Sequence, residues 1–143
     1  MISVRKAKFE DMVLAASIMV TSFRTAFEDF VSPETMDACT KPDNCLCLLE
    51  RIYREGGVHF LMGADLGFLC WQETEAGAEI VAIHSLPESW GTGLGYAMLT
   101  AALEQIGDRP VYLWAFKDNT RARQFYEKHG FRWDGSERVS EFD

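Results

Sequence analysis

The chain has 143 residues, 48% of them hydrophobic and 25% charged, the composition of a folded protein with room for a core rather than of a disordered one. A net charge of −8 argues against nucleic acid as a partner, and no apolar run reaches the roughly 18 to 20 residues that cross a bilayer, so no membrane partner is expected. Near the start, Arg5, Lys6, Lys8, Glu10 and Asp11 leave no apolar export segment, so the expectation is one cytoplasmic domain over residues 1–143.

Residues 2–6 alternate apolar and polar and read as a strand. Glu10 and Asp11 suit the first turn of a helix, whose stripe is Ala16, Val20, Phe23, Phe27 and Phe30. Ser32-Pro33-Glu34 stops that helix and starts another, with Ser as N-cap and Pro in the first position. A turn at residues 41–44 leads to a third helix over 45–55, with Leu48, Leu49, Ile52 and Tyr53 inward. Residues 58–62, 67–73 and 79–85 then read as an antiparallel meander.

The next helix begins near Gly93 and buries Leu99, Ala102, Leu103 and Ile106. A strand over 111–116 precedes a helix that opens at Asn119 and closes at Gly130, and residues 131–133 and 138–142 offer a final pair of strands. The order describes a mixed α+β fold. Cys39, Cys45, Cys47 and Cys70 fit no zinc spacing and read as reduced, packed thiols; no metal is expected.

Charge is unevenly distributed. Residues 109–132 hold six bases and two acids, a local +4, against −12 for the remainder. Such a basic stretch suits a polyanionic ligand, and the acidic remainder a cationic substrate; solvated helix faces explain the same pattern.

Two motifs carry the chemistry. The β-branched run Ile80-Val81-Ala82-Ile83 leads through His84-Ser85-Leu86-Pro87 to Trp90-Gly91-Thr92-Gly93-Leu94-Gly95. Glycines at alternate positions leave amides unshielded at a helix start, which suits an anion. No lysine follows as in a phosphate-binding P-loop, and Tyr96 stands where a dinucleotide fingerprint has its third glycine. The second motif is Asn119-Thr120-Arg121-Ala122-Arg123-Gln124-Phe125-Tyr126-Glu127-Lys128-His129-Gly130-Phe131.

Together, in this order, they resemble the GNAT superfamily of acetyl-CoA-dependent N-acetyltransferases. The resemblance implies a central, mostly antiparallel sheet that splays at its fourth and fifth strands, flanked by helices. It implies acetyl-CoA as co-substrate, with the pyrophosphate wrapped by Gly91, Thr92, Gly93, Leu94, Gly95 and Tyr96. Main-chain groups of Ile83, His84 and Ser85 would hold the pantetheine arm, an amide near Leu86 would polarise the thioester, and Asn119 would bond the arm while capping its helix. Tyr126 matches the family's general-acid tyrosine. Trp90 departs from the Arg or Gln usual at its position. In a subgroup that acetylates ribosomal-protein alanine termini, a glutamate serves as base where this chain has Trp114. GNAT proteins often dimerise, so a homodimer is possible.

An amine acceptor must lose a proton, because a lysine-like ammonium is free base only about once in 2,500 at pH 7. Glu79 and His84 are the candidates; five positions apart on one strand, they are expected on opposite faces. The reading is direct acetyl transfer to a primary amine, small or peptidic, in a ternary complex. A cationic amine would be drawn by Glu28, Asp29, Glu34 and Asp37. An acyl-CoA-binding module without catalysis, or transfer to a peptide or protein amino group, are the alternatives.

Overall fold

A computed structural model describes residues 2–138. In chain order the elements are β1 (Val4–Lys6), α1 (Met12–Phe27), α2 (Pro33–Cys39), α3 (Pro42–Glu55), β2 (Val58–Gly63), β3 (Gly67–Thr74), β4 (Gly77–Ser85), α4 (Leu94–Ile106), β5 (Val111–Leu113) and α5 (Thr120–Lys128). The sheet order is β1-β2-β3-β4-β5. Every neighbouring pair is antiparallel except β4 and β5, which run parallel. The expected mixed α+β sheet with a meander at its centre is present. No helix among the described residues is long and apolar enough to cross a membrane.

Strand periodicity divides the core between two faces. Phe60, Met62, Phe68 and Cys70 point to one side and pack with Met12, Ala15, Ile18 and Leu49 of α1 and α3. Leu61, Leu69, Trp71, Ala78 and Ile80 point to the other and meet Leu94, Met98, Leu99, Ala102 and Ile106 of α4. The start of α1 is held by Asp11, which accepts from the Lys8 amide and takes Arg5 in a paired contact at 2.7 and 2.8 Å. Arg5 draws the Asp11 carboxyl down to about 2. Burial pushes the Cys70 thiol up to about 12, as befits a packed thiol without reactivity.

Several sequence expectations are corrected. The turn at 41–44 is the first turn of α3, with Lys41 as N-cap and Pro42 in the position proline favours. Leu48 is exposed, because α3 turns Cys45 and Leu49 into the core. Strand β5 ends at Leu113 instead of continuing to residue 116. Residues 131–133 form no strand. Of the expected strand over 138–142, all but Arg138 lies outside the described residues.

Candidate active site

The site begins where two parallel strands separate. The β4–β5 pairs are Ala78 with Val111, Glu79 with Tyr112 and Ile80 with Leu113, and there pairing stops while β4 runs on to Ser85. On the other edge of β4, Trp71 pairs with Ile80 and Cys70 with Ala82, so Val81 is a bulged residue, 46% exposed. A bulge bends its strand and increases the local twist, and it sits here at the point of separation.

The bulge also changes which way side chains point. Glu79 pairs with Gln72 and His84 with Phe68, and those two β3 residues are four apart on one face. Glu79 and His84 therefore share the face covered by α1 and α3, contrary to the expectation of opposite faces. Beyond the bulge, the His84 carbonyl lies against Gly67 of β3. The alternating main-chain groups of Ile83 and Ser85 consequently face the gap. The His84 main chain is thus turned to β3, and its side chain to Ser22 and Phe68. The Leu86 amide is not available for a thioester, since it donates to the Leu66 carbonyl at 2.9 Å.

A short 3-10 turn, Pro87–Ser89, carries the chain from β4 to the glycine loop. Gly91 and Gly93 have φ of 80° and 93°, values that side chains disfavour, and Gly93 forms the N-cap of α4. The Thr92 amide and hydroxyl are both tied to the Ser89 carbonyl. Among the described residues the amides of Gly91, Gly93, Leu94, Gly95 and Tyr96 have no acceptor. Unpaired amides at a helix N-terminus favour an anion there. Gly95 is needed for a different reason: a Cβ would stand 3.1 Å from the Phe125 ring of α5.

Helix α5 opens on Asn119, whose side-chain oxygen accepts from the Ala122 amide at 3.1 Å, the expected cap. Its side-chain amide donates to nothing among the described residues. Tyr126 is partly buried, edge-on to Phe125 and Phe131. Burial raises its phenol well above the usual range, with nearby Arg121 opposing. The hydroxyl is thus a proton carrier at neutral pH, and it makes no hydrogen bond among the described residues.

His84 Nδ1 lies 3.3 Å from the Ser22 hydroxyl of α1, and its ring sits 5.4 Å from that of Phe68. Burial lowers its pKa to about 4, so it is neutral at pH 7 and a weak proton acceptor. Glu79 Oε1 accepts from Gln72 Nε2 at 3.0 Å. No hydrogen bond joins Glu79, His84 and Tyr126 to one another among the described residues.

On the same face, Phe27 at the end of α1 reaches Phe116 just beyond β5, with ring centres 5.0 Å apart, and Phe23 and Phe30 flank it. Of the carboxylates expected to draw a cation, Asp37 is already paired with Arg24 at 3.0 Å. Trp114 is exposed beneath the Arg138 guanidinium, 4.2 Å from its ring centre. Sequence reasoning missed Ser22 and the Phe27–Phe116 bridge. Ser22 was detectable as a polar residue one turn beyond buried Ile18. Among the described residues no group of His, Cys, Asp and Glu could hold a metal ion.

The acetyltransferase (GNAT) family model matches residues 16–131. The chain belongs to this family. Its fold is that of the PaiA N-acetyltransferase from Thermoplasma acidophilum in complex with coenzyme A, with a TM-score of 0.80 at 21% identity over 96% of this chain and 93% of that one. A second similar structure is histone acetyltransferase HPA2 and related acetyltransferase from Corynebacterium glutamicum, with a TM-score of 0.74 at 20% identity, covering 98% and 90%. A third is ribosomal-protein-alanine N-acetyltransferase from Brucella melitensis, at 0.72 and 13% identity, covering 99% of each chain. No curated protein sequence matches this one.

Proposed function

We propose that this GNAT acetyltransferase moves the acetyl group of acetyl-CoA directly to a primary amine. One observation carries the reading: the open β4 edge at the Ile83 main chain and the Ser85 amide leads, through the Pro87–Ser89 turn, to the unpaired amides of the glycine loop. A thin, amide-rich arm ending in a pyrophosphate fits that sequence of groups, the arm bonding like an added strand and the anion meeting a helix start. When bound, the thioester supplies an activated acetyl group. The amine nitrogen attacks the carbonyl carbon, the carbon–sulfur bond breaks, and Tyr126 gives its proton to the departing sulfur. Glu79, directly or through water, takes the proton lost by the amine; with His84 held neutral and weakly basic, its imidazole orients rather than accepts. We place the reaction in the cytoplasm, where the free thiols of all four cysteines persist.

The acceptor is an amine entering from the α1–α2 side. Exposed Glu28, Asp29 and Glu34 favour a cationic one, and Phe30 offers an apolar wall. Release of thiol on mixing with acetyl-CoA and a panel of polyamines, aminoglycosides and peptides tests the reading. CoA binding without thiol release from any amine would favour a non-catalytic binding module. That alternative has its own support, because Trp90 Nε1 already occupies the Ser85 carbonyl at 3.1 Å.

A further inference from the structure

Trp90 sits immediately before the unpaired amides of the glycine loop and brings no charge to them. A cation from elsewhere in the chain lies beside it. The Arg121 guanidinium lies 3.4 Å from the centre of the Trp90 ring. Phe125, one turn further along α5, touches Gly95, so the same face of α5 covers both ends of the loop. Trp90 is itself fixed, since its indole N–H donates to the Ser85 carbonyl. The result is a linked series from the end of β4 through the indole to the first turn of α5.

We propose that Arg121, positioned by Trp90, is the pyrophosphate-binding side chain of this acetyltransferase. A guanidinium stacked on an aromatic face keeps its N–H edges free in its own plane, where they suit two phosphate oxygens at once. Arg121 is not spent on another partner, because no carboxylate pairs with it among the described residues. Partial burial lowers its pKa, yet an arginine remains charged throughout the physiological range. Arg123, two positions on, is directed instead to the Lys117 carbonyl at 3.0 Å. Trp90 is then a positioning residue, acting through Arg121.

The inference rests on the acetyl-CoA reading, and calorimetry with three ligands separates the two. CoA and dephospho-CoA both carry the pyrophosphate; acetyl-pantetheine carries none. Arg121→Ala should weaken CoA and dephospho-CoA alike by about tenfold or more, the scale of losing a hydrogen bond to a charged group, and change acetyl-pantetheine by less than about twofold. Its salt dependence for CoA should become shallower. Trp90→Phe keeps an aromatic face and should retain most of the affinity, whereas Trp90→Ala should approach the Arg121→Ala value. Equal loss for all three ligands would mean that Arg121 only supports the fold, and loss confined to CoA would move it to the 3′-phosphate; either overturns the proposal. Normal CoA binding by Arg121→Ala overturns it alone, while a wild-type protein that binds no CoA overturns the acetyl-CoA reading and this inference together.

Discussion

The two halves of β4 are one strand in sequence and two devices in space. Residues 78–80 are paired on both edges, to β3 and to β5, and bury Ala78 and Ile80 against α4. Residues 82–85 keep only the β3 edge, and past the Val81 bulge they present Ile83 and Ser85 to a gap. The first half builds the sheet, and the second half is where we propose that the ligand binds. One inserted residue makes the difference, through bend, twist and the exchange of faces.

The first half should break structurally. Gly77 has φ of 135°, and a Cβ there would stand 2.2 Å from the Pro110 carbonyl oxygen, at the point where Ala78 bonds that same carbonyl. Gly77→Val should cost about 3 kcal/mol of stability or more, from strain plus a lost strand contact, read as a lower midpoint in urea. An unchanged midpoint would mean that the β4–β5 pairing contributes little.

The second half should break functionally. Tyr126→Phe, on α5, should lower turnover about 10²-fold with CoA affinity nearly unchanged, because proton donation counts only in the transition state. Steady-state kinetics with any active amine decide it, and unchanged turnover returns Tyr126 to packing among Phe125 and Phe131. Gly93→Val shields the loop amides and should weaken CoA binding by about 2 kcal/mol. A folded variant that binds CoA like the parent would remove the loop from the cofactor site.

A smaller effect comes from His84. Its folded pKa of about 4 lies below the unfolded value, so protonation favours the unfolded chain. Its stabilising contribution is complete above about pH 6.5 and is lost progressively as pH falls to about 4. Denaturation midpoints between pH 7 and 4 should fall less steeply in His84→Gln than in the parent, and parallel curves would contradict the shift.

How far the sequence revealed this contrast depends on the range of the interactions involved. The glycine loop and the Asn119 cap were legible, since positive φ and a capping side chain are local demands that few residues meet. The core stripe of α4 was legible through its period, whereas that of α1 was only half so: Ala16 and Phe27 are buried as expected, but with Met12, Ala15, Ile18 and Ser22, while Val20 and Phe23 are partly buried and Phe30 lies beyond the helix. Pro42 misled, because the same residue opens a turn or a helix. The bulge left no trace: in Ile80-Val81-Ala82 any residue could have been the extra one, and only pairing with Cys70 and Trp71 selects Val81. The Leu86 amide looked available until its bond to Leu66 fixed it, and that partner lies on another strand turn. Arg121 and Trp90 are remote in sequence, and spacing alone gave no sign of their stacking.

Amide hydrogen exchange on adding CoA tests the division of β4 most directly, because it reads each half separately. CoA should slow exchange at Ile83 and Ser85 and through residues 91–96, apart from the already bonded Thr92, while residues 77–80 keep their rates. Protection that spreads equally over 77–80, or none over 83–96 at saturating CoA, would contradict the account.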